Sequence, residues 1–259
     1  MSKLLIAVRY VGTNYCGYQV QPNGPTVQAA LNAAAEALFG YPCDIVGCSR
    51  TDSGVHAECF CATVARKGSD TLETSVPVDK IPRALCRHLP PDIAVWAARR
   101  VPETFHARYD VIEKEYAYRI HNRHERDPFL EGRAWHYPCP IGDAQLDAMR
   151  QAAARYVGTH DFAAFMAQGS SVSTTVRTVT RASVEREGST ITFRVAADGF
   201  LYNMVRIMTG TLIAVAEGKL MPDDIDTILA SRDRSRAGIT APACGLYLSR
   251  VVYSPEFCI

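Results

Sequence analysis

No run of about 18 consecutive apolar residues occurs in the chain, so no segment reads as a membrane-spanning helix. No C-x-x-C pair occurs among its nine cysteines, which removes the spacing of a zinc ribbon and of a thioredoxin-type redox site. Neither sign of charge dominates: 28 Lys and Arg stand against 27 Asp and Glu, a formal net charge of +1. A polyanionic partner would therefore meet a local patch, not a basic tail. No solenoid-type period repeats along the chain. The apolar run that opens it, Leu4 to Val8, is too short for a signal h-region, and no Arg/Ser-rich leader precedes it. The expected location is the cytoplasm.

What remains is an ordinary globular composition: 259 residues, 47% apolar, 21% charged and 9% aromatic. That length suits one or two domains and buries a core without disulfides or a metal. The cysteines are expected to be reduced and mostly buried. Cys59 and Cys61, two apart in an apolar run, should share one face of a strand.

Apolar periodicity gives an order of elements. Leu4 to Tyr10 reads as a strand, and Gly12 to Gly17 supplies turn chemistry behind it. Val27, Ala30, Leu31, Ala34, Ala35 and Leu38 recur at helical spacing, with Thr26 as the cap and Gly40 and Pro42 as the stop. Strands are expected at Asp44–Cys48 and from Cys59, and a loop from Ser49 to Ala57. The polar stretch Lys67 to Asp79 reads as a surface excursion before a short helix, Lys80 to Leu89. A strand follows at Ile93–Ala97. In the second half a strand at Glu115–Ile120, a helix at Ile141–Val157 and a hairpin around Gly188-Ser189 precede a helix from Phe200 to Glu217. A short helix, Asp223–Ala230, and a last strand, Gly245–Tyr253, close the list. Two α/β halves of similar type result, with a boundary near Thr104, where the strand at Trp96 gives way to an irregular basic stretch.

The loop from Ser49 to Ala57 places Arg50, Asp52 and His56 beside a strand end. Asp-Ser-Gly is turn chemistry, so Asp52 either accepts local N–H groups or carries a reaction. Phe105 to Asp110 with Lys114, Tyr116, Tyr118 and Arg119 mixes rings and cations, which suits stacked bases and phosphates as well as it suits an aromatic core. Arg206 lies inside an apolar helix, where a guanidinium requires an anionic partner or snorkels from the helix edge.

These pieces occur together and in order, and with them the chain resembles the tRNA pseudouridine synthases of the TruA family. The motifs are Tyr10-Val11-Gly12-Thr13-Asn14-Tyr15-Cys16-Gly17-Tyr18-Gln19, Arg50-Thr51-Asp52-Ser53-Gly54-Val55-His56-Ala57 and Leu89-Pro90-Pro91-Asp92-Ile93-Ala94-Val95. Phe105-His106-Ala107-Arg108-Tyr109 with Lys114 to Tyr118, then Tyr202 to Gly210, then Ala241 to Leu248, complete them. Two positions depart from the family pattern. Ser49 stands where a Gly is usual, adding a Cβ beside the loop, and Tyr18 stands where a Trp is usual. The excursion around residues 67–79 also looks longer than in bacterial members.

The resemblance implies an α+β fold: two similar subdomains, 1–104 and 105–259, forming a continuous, mostly antiparallel sheet flanked by helices, with the active-site cleft between them. It implies that Asp52 is the nucleophile that detaches a uracil and lets it rejoin its ribose through C5. Arg206 would pair with Asp52, Tyr116 would stack on the base, Arg50 would occupy the space of the flipped-out nucleotide, and Leu246 would wall the uracil. His56 is given a structural or RNA-contact role. Base flipping is also a physical demand, because a glycosidic bond inside a stacked stem is unreachable. The substrate implied is the tRNA anticodon stem-loop at position 38, 39 or 40, acted on by a homodimer with no metal and no cofactor. Arg50, Arg108, Lys114, Arg119 and Arg123 would form the RNA patch. Two rivals remain: an RNA-binding protein without chemistry, and a nucleoside hydrolase using Glu58 as a second acid.

Overall fold

Leu4 to Val8 are fully buried, because the strand they form lies between two others and is covered on both faces. The computed structural model describes residues 2–169 and 172–259. It divides into two compact units, Met1–Ile112 with Tyr247–Ile259, and Glu113–Leu246.

In the first unit β1 (Ser2–Tyr10) leads through the segment 11–26 to α1 (Val27–Phe39). The Thr26 hydroxyl accepts from the Ala29 N–H at 3.3 Å, and Gly40 ends the helix at φ 78°, a left-handed angle that costs a glycine nothing. β2 (Cys43–Gly47) and β3 (His56–Arg66) form an antiparallel pair, and β3 also pairs with β1. The excursion after β3 is mostly exposed but pins itself with buried Leu72, whose N–H donates to the Ser2 carbonyl. α2 (Ile81–Cys86) is shorter than the expected helix. β4 (Ile93–Pro102) is longer than the expected strand, because pairing with β1 carries it on to Pro102. α1 packs on β2 and α2 on β4.

The second unit begins with β5 (Glu113–His121) and the two-residue β6 (Trp135–His136). α3 (Asp143–Ala154), β7 (Gly158–Asp161), β8 (Val176–Glu187) and β9 (Thr190–Ala197) follow. The strand order is β5-β9-β8-β7, antiparallel throughout, with the β8–β9 hairpin turning at the expected Gly188. α4 (Met204–Ala216) is buried nearly all round, and α5 (Asp224–Ser231) comes after it. α4 starts four residues later than the expected Phe200, because Asn203 adopts a left-handed φ of 59° and breaks the helical path. Within α4, Thr209 and Thr211 donate to the carbonyls of Val205 and Ile207 at 2.8 Å, so neither hydroxyl is buried unpaired.

β10 (Leu246–Val252) returns the chain to the first unit. It pairs parallel to β3, Tyr247 opposite His56 and Leu248 opposite Ala57. The division therefore differs from a single cut near Thr104. The first unit runs on to Ile112, whose N–H donates to Val252 at 2.8 Å, and it reclaims the last strand. The α+β expectation holds, and most pairings are antiparallel; β3–β10 and β5–β6 are parallel. All nine cysteines are unbridged. Only Cys43, Cys48 and Cys61 are buried, and Cys139 and Cys258 are exposed, so the expectation of mostly buried thiols does not hold. No helix among the described residues is long and apolar enough to cross a membrane.

Candidate active site

Asp52 lies half-exposed in the turn between β2 and β3. The Val55 N–H donates to the Asp52 carbonyl at 3.1 Å, and Gly54 closes the turn at φ 77°, where any other residue is strained.

The rest of the loop is held from outside by residues 10–18. The hydroxyls of Tyr10 and Thr51 share a buried hydrogen bond of 2.7 Å. The Tyr18 N–H donates to the Thr51 carbonyl at 3.0 Å, and the Tyr15 carbonyl accepts from Ser53 Oγ at 3.2 Å and from the Gly54 N–H at 3.4 Å. These bonds fix Thr51, Ser53 and Gly54, the neighbours of Asp52. The approach is close enough to require glycine. A Cβ on Gly12 would come within 2.0 Å of the Val55 carbonyl oxygen, and one on Gly17 within 2.7 Å of the Thr51 oxygen.

The clamp is itself anchored. Asp92 accepts from the Tyr15 hydroxyl at 2.6 Å and from Asn14 Nδ2 at 3.4 Å, and its backbone carbonyl accepts from the Val11 N–H at 2.9 Å. Burial, and then the Asp92 carboxylate, push the Tyr15 phenol up, so it stays a donor. Three separate sequence motifs thus interlock around one turn.

His56 opens β3 and is only 1% exposed. Its Nδ1 accepts from the Gly12 N–H at 3.0 Å, and its ring stacks on Tyr247 at 4.6 Å. This geometry fits the structural alternative. Arg50 is exposed. Ser49 causes no backbone strain: among the described residues only Asn203 and Arg232 combine a side chain with a positive φ. Tyr18 is less well accommodated, since its ring packs on Phe60 at 4.3 Å with a buried hydroxyl that finds no protein partner among the described residues. Glu58 sits in the body of β3, outside the turn.

The 105–110 motif is a self-bonded turn. Phe105 is buried against Tyr253 and Phe257. His106 Nδ1 accepts from the N–H groups of Arg108 and Tyr109 at 3.1 and 3.3 Å, and its own N–H donates to Asp110 at 2.8 Å. Arg108 and Tyr109 are left exposed, the guanidinium 5.7 Å from the ring centre.

In the second unit Tyr116 and Tyr118 alternate along β5. Tyr118 is wholly buried and donates to the Pro242 carbonyl at 2.6 Å, a structural role. Tyr116 meets Phe200 edge-on at 4.9 Å. Arg206, in the first turn of α4, is half-buried. Its Nε donates to the Ala241 carbonyl and Nη1 to Asn203 Oδ1, both at 2.7 Å, and these two bonds fix the plane of the guanidinium. The Ala241 N–H returns a bond to the Arg206 carbonyl at 3.1 Å. Leu246 is buried at the start of β10. It follows Gly245, where a Cβ would meet the Tyr118 ring at 2.6 Å and the Arg119 carbonyl at 2.7 Å.

The structure thus brings Arg50, Asp52 and His56 together in one unit, and Tyr116, Arg206 and Leu246 occur in the other. Sequence reasoning gave no role to Asp92 or Asn203, although both lie inside the motifs it quoted. Asn beside an Arg at a helix start was the available signal for the second. Among the described residues no three His, Cys, Asp or Glu side chains converge as a metal-ligand set.

Residues 6–110 and 152–254 match the family described as tRNA pseudouridine synthase. Proteins named tRNA pseudouridine synthase A are similar over nearly the whole chain. The one from Thermoanaerobacter sp. (strain X514) is 43% identical over 253 residues, 98% of this chain and 100% of that protein. The one from Moorella thermoacetica is 45% identical over 255 residues, with the same coverage. The one from Exiguobacterium sp. is 44% identical over 254 residues, 98% of each chain.

Proposed function

The chain belongs to the tRNA pseudouridine synthase family, and from that premise we propose that it converts uridine to pseudouridine at position 38, 39 or 40 of the tRNA anticodon stem-loop, with Asp52 as the nucleophile. The observation that carries the reading is the clamp on the Asp52 turn. A reacting carboxylate gains most when its direction is fixed before the substrate arrives, and here both of its neighbours are bonded to a segment that is itself anchored.

The reaction balances without a redox partner. The N1–C1′ bond of the uridine breaks, a C5–C1′ bond forms, the C5 hydrogen leaves as a proton, and N1 takes one up. The target base must leave its stack first. In this reading Arg206 pairs with the Asp52 carboxylate and favours its ionised form. Tyr116 stacks on the uracil, Leu246 walls it, and Arg50 fills the space the nucleotide vacates. Arg50, Arg108, Lys114, Arg119 and Arg123 meet phosphates, and His56 supports the Gly12 turn. The working form is a homodimer.

Tritium release from C5-labelled uridine in tRNA tests the reading. Wild type should release label from tRNA carrying uridine at 38, 39 or 40, and Asp52→Ala should release none while still binding. Folded wild type that releases no label from any tRNA would refute it. Affinity should fall with salt by about 0.7–0.9 log units per log unit for each phosphate contacted.

A further inference from the structure

Trp96 is an anomaly of β4. It is 39% exposed beside buried Val95, and it sits at the irregularity where β1 and β4 shift register after Ala7. An indole left open on a sheet face costs apolar exposure that a neighbouring side chain could have covered. What lies on it instead is a cation: the Arg9 guanidinium stands 5.1 Å from the ring centre. Val8 and Tyr10 on either side of Arg9 are buried, as is Val95 beside Trp96, so Arg9 and Trp96 occupy the outward positions of adjacent strands.

A second cation joins them. β10 runs parallel to β3, and two residues beyond the Leu248–Ala57 pair come Arg250 and Cys59. The Cys59 thiol is pushed down, first by its hydrogen bond with Cys61 and then, against the effect of burial, by the Val251 backbone and the charges of Arg9 and Arg250. Both guanidiniums therefore lie near Cys59. Neither forms an ion pair among the described residues.

The wider charge pattern selects the kind of partner. The strands β4, β1, β3 and β10 carry six Lys or Arg (Lys3, Arg9, Arg66, Arg99, Arg100 and Arg250) and one acid, Glu58, in a chain whose net charge is +1. An exposed indole beside unpaired guanidiniums, on strands with this excess of positive charge, matches a flat π-surface joined to phosphates. A protein partner would more often meet an apolar patch with charges of both signs.

We infer that Trp96, Arg9 and Arg250 form a stacking platform for an unpaired base of the RNA substrate and for the phosphates beside it. The inference rests on the proposed RNA substrate and adds residues outside the motifs. The platform and the Asp52 turn are tied to the same end of β1, since Tyr10, next to Arg9 but facing inward, bonds Thr51, next to Asp52. A nucleotide stacked on Trp96 would steady the end of β1 that bonds the turn.

The chain has two tryptophans, so one substitution isolates the probe. In Trp135→Phe protein, an RNA hairpin with the anticodon stem-loop sequence should quench the emission of Trp96 as it binds. Trp96→Ala should weaken binding about tenfold or more, and Trp96→Phe should restore most of it. Arg9→Ala and Arg250→Ala should each lower the slope of log affinity against log salt by about 0.7. Emission that stays unchanged while the hairpin binds, together with wild-type affinity in Trp96→Ala, would overturn the platform. Tritium release is read in parallel. Normal release with a silent Trp96 removes the platform alone, whereas quenching without release upholds the platform and removes the proposed isomerisation.

Discussion

Tyr10 and Thr51, 41 residues apart, share a buried hydrogen bond of 2.7 Å between their hydroxyls, and through it the first strand holds the residue preceding Asp52. Tyr10→Phe keeps the ring against Phe60 and removes only the oxygen. The loss should cost about 1–2 kcal/mol in urea unfolding. If the bond also positions the turn, kcat for tRNA should fall several-fold with KM little changed. An unchanged kcat would confine the bond to stability.

Asn203 does two things, and they can be separated. It adopts φ 59°, and its Oδ1 accepts from Arg206 at 2.7 Å. Asn203→Ala loses both the tolerated angle and the acceptor. Asn203→Gly keeps the angle and loses the acceptor. The glycine variant should recover most of the about 1–2 kcal/mol that alanine loses, yet both should show kcat/KM reduced about tenfold. Full activity in the glycine variant would show that Arg206 is held without Asn203.

Tyr18 buries a hydroxyl with no protein partner among the described residues, and burial pushes its phenol up, so it remains neutral. Tyr18→Phe removes an unsatisfied polar atom and keeps the contact with Phe60. It should raise stability by about 1 kcal/mol, seen as a higher midpoint in urea. A lower midpoint would mean that the hydroxyl is satisfied in solution.

The Asp161 carboxylate gives a pH-dependent test. Burial would raise its pKa, but the Thr175 hydroxyl at 2.5 Å, the Ala163 N–H at 3.0 Å and Arg232 at 2.9 Å outweigh burial and hold it below the usual range. A depressed carboxyl stabilises the fold above its unfolded pKa of about 3.9, and that contribution is lost as pH falls through the folded value. Asp161→Asn should therefore lower stability by about 1–2 kcal/mol at pH 7 and lose its effect in strong acid. The difference between the two unfolding curves as a function of pH checks it.

Much of this was legible from residue spacing. α1 begins and ends where Thr26 and Gly40 place it, and the β8–β9 hairpin turns where Gly188 allows. The motifs of the site follow from resemblance to a family, and their local structure agrees with turn chemistry at Asp52. What escaped has a common cause. β7 is a polar four-residue strand defined only by its pairing with β8, the late start of α4 depends on one backbone angle, and the return of β10 depends on pairing with β3. Asp92 supports the clamp through Tyr15, 77 residues away in sequence, and no periodicity signals such a bond.

The return of β10 also sets an order of assembly. The strand that borders β3 is synthesised only after the whole of Glu113–Leu246, so the unit carrying the Asp52 turn must wait for the intervening unit before its sheet is complete. Bringing Tyr247 to His56 closes one of the longest loops in the chain, a step that delays folding more than it weakens the final state. On the ribosome the nascent first unit therefore lacks both the strand beside β3 and the Tyr247 ring that stacks on His56. The Asp52 turn reaches its final setting late, when nearly all of the described chain has emerged.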